Sequence, residues 1–291
     1  MLPMKKATTF GIAAIFMFMI AGQAWAGSNG YFVTYDSKIE KGELELMLMN
    51  DFTAPSEFRR EEEGFGNYLS HMVELEYAPW RQFATEFMVE WFEDFETGAK
   101  KFTGFRWENR YRIFQEQVPL NPMVYMEYED LDPATRYKME VSGWVNPPYA
   151  EGGGEPDRER ILETRLVLSQ DFGSLNFSLN WINETDLANA ETAFGYALGG
   201  MWMIHDSQEE NEHHSHESHE GSKGAMGVGL ELYGALGDTQ SFGFTPSRQE
   251  HYLGPILMYH FSQHWMFHTQ LAIGLSKTSD NLVRLNFGYE F

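Results

Sequence analysis

Four histidines, His213, His214, His216 and His219, fall within seven residues. Glu209, Glu210, Glu212, Glu217 and Glu220 are interleaved with them. Neutral imidazoles ligate Zn, Cu(II) or Ni, and neighbouring carboxylates raise the local cation concentration. Nothing rigid in this tract fixes a coordination geometry. It therefore suits weak capture of a transition-metal ion, or it is a solvated low-complexity insertion whose histidines do nothing specific. A second group is His260, His264 and His268. Alternation places all three on one face of a hairpin, where hydrogen bonding to Glu or Tyr is the expected role.

Charges make a third pattern. Glu43, Glu45, Glu74, Glu76, Glu86, Glu90, Glu108, Glu127, Glu129, Glu163, Glu231 and Glu290 share a strand face with Arg106, Arg110, Arg112, Arg165 and Arg284. Twelve acids against five bases leave that face acidic. Cross-strand ion pairs are the expected use of the arginines. If water follows this face, its lining favours cations or neutral solutes over anions. Enzyme motifs are missing: there is no Gly-x-Ser-x-Gly, no His-Glu-x-x-His and no phosphate-binding glycine loop. No catalytic residue is assigned and no enzyme is expected.

The elements that must carry these residues read as strands. Apolar and polar residues alternate at Leu44–Leu48, Val73–Tyr77, Phe87–Trp91, Phe105–Ile113, Val124–Tyr128, Leu162–Leu168 and Leu175–Trp181. The pattern recurs at Phe194–Met203, Met226–Tyr233, Leu253–Phe261, Trp265–Leu275 and Asn281–Phe291. Segments of about ten residues suit tilted strands crossing a bilayer. Alternation alone fits a soluble sandwich equally well.

The two ends of the chain separate these cases. Lys5 and Lys6 precede an apolar run, Ala7 to Gly22, and a small-x-small site at Ala24 to Ala26. This is the form of a signal peptide, residues 1–26, cleaved after Ala26. At the other end Phe287, Tyr289 and Phe291 alternate and close the sequence on an aromatic. That pattern suits recognition by the barrel-assembly machinery of a bacterial outer membrane. The expected fold is all-β: an antiparallel transmembrane up-and-down β-barrel over residues 27–291, with a His/Glu-rich insertion at 206–223. Twelve strands are expected, with Tyr137–Val145 an excursion inside a long external loop, Asp130–Arg158. Counting both Tyr137–Val145 and Tyr31–Tyr35 as strands gives fourteen. Counting back from Phe291 puts the His/Glu-rich insertion on the periplasmic side.

Composition agrees. The formal charge is −22, or −24 without the leader, which disfavours nucleic acid as a partner. There is no cysteine, so no disulfide framework need be considered.

Several segments carry a family likeness: His251–Leu257, His264–Phe267, Gly274–Asp280, the terminal Phe287–Phe291, Arg110–Phe114, Pro122–Glu129 and Ser169–Ser174. Together they resemble transporter-type outer-membrane barrels labelled as a phenol-degradation-pathway family. The resemblance implies passage of small organic molecules and supplies no functional residues. The expected role is thus a monomeric outer-membrane channel or transporter-like barrel for small neutral or cationic solutes. The alternatives are a metal-capturing barrel that uses the His/Glu-rich turn, and a sealed structural or surface barrel. The expected partners are the lipid bilayer, the assembly machinery and the solutes or metal ions themselves.

Overall fold

The structure is a computed structural model, described for residues 30–62, 64–139, 141–145, 158–204 and 224–291. Twelve strands run β1 (Leu44–Ala54), β2 (Tyr68–Trp80), β3 (Phe83–Asp94), β4 (Lys100–Arg112), β5 (Met123–Leu131) and β6 (Glu159–Phe172), then β7 (Leu175–Asp186), β8 (Thr192–Ile204), β9 (Met226–Asp238), β10 (His251–His260), β11 (Trp265–Gly274) and β12 (Asn281–Glu290). Each pairs antiparallel with its neighbours in sequence, and β12 pairs with β1 from Glu45↔Glu290 to Ala54↔Asn281. The sheet thus closes, and among the described residues no edge strand is left to pair with another chain.

One end of the cylinder, the near rim, holds Leu44 and Glu290. Its turns include the two-residue links Arg81–Gln82 and Gly173–Ser174. Gly173 has φ 62°, a left-handed conformation that a tight hairpin turn requires and glycine adopts without a Cβ penalty. The opposite end, the far rim, carries two of the three longest links. One holds the helix α1 (Glu57–Glu62) and another is the segment from residue 132 to 158.

Alternation sorts the side chains as the pleat demands. Outward positions such as Leu48, Leu75, Phe87, Leu179, Leu271 and Val283 are exposed and apolar. Aromatic contacts gather at the ends of this band. The near rim has Trp80–Phe83, Trp265–Tyr289 and Tyr289–Phe291, with centroids 5.7, 4.8 and 5.0 Å apart. The far rim has Phe52–Phe95 and the trio Trp181, Phe194 and Phe242. An apolar belt between two aromatic girdles is the exterior of a membrane barrel. Among the described residues no helix is long and apolar enough to cross a membrane.

The interior is filled differently. Twelve methionines lie beyond residue 46, and ten of them are buried, whereas the outer wall uses Leu and aromatics. Met fills irregular gaps between charged groups better than branched side chains do. It packs here against a segment that is not a strand at all. Tyr31–Tyr35 threads through the lumen, so the fourteen-strand count is wrong and the barrel has twelve strands. Those five residues lack a polar/apolar alternation of their own because every side of the segment is enclosed.

Candidate functional site

Residues 30–42 form a plug that enters and leaves the lumen at the near rim. Gly30 lies against Met201 and Met258, low on β8 and β10. The chain climbs to mid-barrel and crosses to β4 and β6. It then descends past Ile39, which packs with Ala78, Ala84 and Met123, and joins β1. The wall supplies its backbone partners. Glu231 on β9 accepts from the amides of Phe32, Val33 and Thr34 at 3.1, 3.0 and 2.7 Å. Asn180 on β7 accepts from the Tyr35 amide at 2.6 Å and donates to the Tyr35 carbonyl at 2.8 Å, as a neighbouring strand would. Arg165 donates to the Val33 carbonyl at 2.6 Å. The Tyr35 hydroxyl donates to Glu108 at 2.8 Å, and the Tyr31 hydroxyl to Asn176 at 2.8 Å. Buried backbone amides need such partners, since leaving one bare costs about as much as a lost hydrogen bond. Gly199 makes room: a Cβ there would sit 2.5 Å from the Tyr31 ring.

A second segment closes the far rim. The expected excursion at Tyr137–Val145 does lie in the link between β5 and β6, and its described part folds inward. Arg136 reaches Asp94 at 2.7 Å and lies over the rings of Phe65 and Phe92. Lys138 bridges Glu250 at 2.8 Å and Asp280 at 2.9 Å, and its carbonyl accepts from Arg284 at 2.6 Å. Arg59, from α1, also bonds Glu250. Burial pushes the Glu250 carboxyl up, but Lys138 and Arg59 outweigh it and hold the group down at about 2. Past this clamp, Gly143 donates to the Phe194 carbonyl at 3.2 Å. A cavity of about 230 Å³ remains here, lined by Arg59, Lys138, Trp144, Glu184 and Glu250 among others.

The charged face runs between these two closures. In register, Glu290 lies opposite Glu45, Glu45 opposite Glu76, Glu76 opposite Glu86, and Glu86 opposite Glu108. Glu108 then lies opposite Glu127, Glu127 opposite Glu163, and Glu163 opposite Glu184. Eight adjacent strands, β12 and β1 to β7, thus each give one inward glutamate to a single cross-strand row. Strands of a closed barrel are tilted, so such a row climbs rather than closing on itself. This one starts at the near rim and ends at Glu184, in the far cavity.

Three arginines interrupt the acidity. Arg106 meets Glu90, Glu127 and Glu129 at 3.1, 3.1 and 3.3 Å. Arg110 meets Glu76 at 2.5 Å and Glu108 at 3.0 Å and also bonds Glu86. Arg165 bonds Glu163. Arg284 stands apart, paired with Asp51 at 2.9 Å. Two trios, Glu74–Glu76–Glu86 and Glu127–Glu129–Glu163, each bring carboxylate oxygens within 4.8 Å of one another.

The structure therefore gathers Glu74, Glu76, Glu86, Glu90, Arg106, Glu108, Arg110, Glu127, Glu163, Arg165, Glu231, His268 and Arg284 inside the barrel, all buried. Arg112 is the exception. It sits at the near rim, where its guanidinium donates to the Gln115 carbonyl at 3.1 Å, because its strand ends there. His264 also departs from expectation: it is exposed in the turn and stacks on Tyr289. His71 faces outward, stacked on Trp91 and bonded to Asn50. His268 is buried opposite Met258 with neither ring nitrogen hydrogen-bonded. His213, His214, His216 and His219 lie outside the described residues.

Sequence reading missed the plug, the inward turn of Arg136–Met139, and Asn176 and Asn180 as plug ligands. Asn180 alternated with Leu179 and Trp181 on a polar face, but nothing in the sequence pointed to what it bonds.

No family model matches the chain, and no curated protein does. Solved structures do. An outer membrane channel from Pseudomonas putida F1 aligns over 91% of this chain and 100% of its own, with TM-score 0.51 and 10% identity. The translocator domain of the autotransporter NalP from Neisseria meningitidis aligns over 87% and 89%, with TM-score 0.43 and 11% identity. Outer membrane phospholipase A from Escherichia coli aligns over 91% and 98%, with TM-score 0.38 and 11% identity. At such identities the likeness is one of fold, and the first alone is close enough to bear on it. The chain has the fold of bacterial outer-membrane barrels. The likeness to barrels of the phenol-degradation-pathway label extends to that barrel type and no further.

Proposed function

We propose that this chain is a gated outer-membrane channel for small neutral or cationic solutes, with residues 30–42 as its gate. The observation that carries the reading is the climbing row of eight glutamates. Like charges placed directly opposite one another destabilise a sheet. Eight in succession are therefore poor packing for a wall and a good lining for a cation route. The plug meets this row at Glu108 through Tyr35. Elsewhere its backbone is held by hydrogen bonds to the side chains of Glu231, Asn180 and Arg165, and Ile39 packs with Ala78, Ala84 and Met123. In this reading the near rim is periplasmic, the leader directs export, and Phe287, Tyr289 and Phe291 serve recognition by the assembly machinery. The closed ladder suits a monomer, and no catalytic role is assigned.

Planar-bilayer recording tests this directly. The wild type should be mostly silent, a chain lacking 30–42 should give conductance steps, and its reversal potential in a salt gradient should favour cations. A deleted chain that inserts yet shows no step at any voltage would leave a sealed structural barrel. Anion preference would remove the role of the glutamates.

A second reading, transition-metal capture, is favoured by His268. Its unbonded imidazole faces Met258, and imidazole with thioether is a soft donor set. The His-rich stretch 206–223 joins β8 to β9 in sequence. Zn, Ni or Cu binding that survives both deletion of 206–223 and His268→Ala dismisses this reading.

A further inference from the structure

The near half of the glutamate row holds more negative charge than its surroundings balance. Glu45, Glu74, Glu76, Glu86 and Glu108 are all buried, and Arg110 is the cation placed among them. Arg110 already serves Glu76, Glu86 and Glu108. Glu74 has no cation of its own within ion-pair distance among the described residues, and Glu45 is more isolated still. It is 1% exposed, and neither of its carboxylate oxygens has a hydrogen-bond partner. Glu45 nevertheless lines a cavity of about 40 Å³ together with Glu74, Glu76 and Glu86. A water molecule needs roughly 10–15 Å³ measured this way, so the space takes an ion with a water or two. A buried carboxylate left without partners is expensive, and a bound cation is one way to supply them.

We infer that this cavity is a site for a hard divalent cation, calcium above all, held by Glu45, Glu74, Glu76 and Glu86. The donor set is oxygen alone, which suits Ca²⁺ or Mg²⁺ rather than a soft metal. Ligand number separates the two. Calcium takes six to eight oxygens and accepts several from protein carboxylates, whereas magnesium keeps several waters and takes one or two carboxylates. The oxygens of Glu74, Glu76 and Glu86 lie within 4.8 Å of one another, close enough to share one ion, and the cavity leaves little room for a magnesium ion's waters. Asn286 lines the same cavity with its side-chain oxygen unbonded, a further donor that keeps no charge. Tyr31 and Tyr35 of the plug form the cavity's other wall, so the ion also ties the plug to β1, β2 and β3. The site does not depend on whether the barrel conducts.

Terbium, a calcium-like ion that luminesces when a nearby tyrosine is excited, is the first probe. The full chain folded in detergent should show Tb³⁺ emission on tyrosine excitation, and Ca²⁺ should displace it more readily than Mg²⁺. Thermal unfolding should shift upward by about 5 °C between chelator and saturating Ca²⁺. Glu45→Gln should abolish both effects while unfolding no earlier than the metal-free wild type, because it removes an unpaired buried charge. Should Glu45→Gln fail to fold, Glu74→Gln serves the same comparison. Emission and calcium shift that persist in the folded variant place the ion elsewhere and overturn the assignment. Stability that responds to pH but not to Ca²⁺ also overturns it, because the carboxyls are then simply protonated.

Discussion

Glu231 is the point at which the plug can be released with one substitution. Its carboxylate takes three consecutive backbone amides, from Phe32, Val33 and Thr34, and also the Gln270 side chain. Hydrogen bonds to a charged group contribute about 1.5–3 kcal/mol each, and the amides would regain water once the plug leaves. Glu231→Ala should therefore weaken plug seating by about 4.5–9 kcal/mol in total. At about 1.4 kcal/mol per tenfold, the ratio of open to closed barrels rises roughly 10³- to 10⁶-fold. Single-channel recording reads this as frequent openings in the variant at voltages where the wild type is quiet. Glu231→Gln keeps one acceptor oxygen and should fall between the two. Limited proteolysis of residues 30–42 should track the openings. The reasoning fails if Glu231→Ala stays as quiet and as protected as the wild type while the plug-deleted chain conducts freely.

Other outcomes follow from the same contacts. Gly199→Leu should expel Tyr31 by steric overlap and give openings without touching any charge, read by the same recording. Lys138→Met should cost about 3–5 kcal/mol at the far rim, because Glu250 and Asp280 lose a buried partner; denaturant titration in detergent measures it. The held-down carboxyl of Glu250 gives this clamp an acid limit. Its folded value lies below the ordinary 4.5, so its contribution is complete above that pH and fades as pH falls toward about 2. Hydrogen exchange of residues 136–139 should accelerate over that window and stay flat above it. Leu179→Arg on the outer wall should cost about 2–4 kcal/mol in lipid, near the middle of β7. A soluble exterior would accept it with no change in folding titrations.

Much of the wall was legible in the sequence. A strand shows alternate residues to opposite faces, so Val283, Leu285 and Phe287 against Arg284 and Asn286 declare an oil side and a polar side without further information. The count of twelve strands came from the same rhythm, and the inward His268 fell where the pleat put it. Rim positions were less legible. Arg112 and His264 keep the parity of the inner face, but their strands end too soon to bring them inside. Register was beyond reach from sequence, since each hairpin could slip without altering its own alternation. The eight-glutamate row exists only because seven separate pairings each align one glutamate with the next.

The interior was decided by tertiary structure alone. The stretch from Tyr31 to Tyr35 is short, aromatic and without alternation, which suits an edge strand as well as a plug. It becomes a plug because Glu231, Asn180 and Arg165, on three different strands some 130 to 200 residues away in sequence, satisfy its backbone. Local sequence determines which way a side chain points, because that depends on a residue and its immediate neighbours. What those side chains enclose depends on closure of the cylinder, which brings distant strands around one axis.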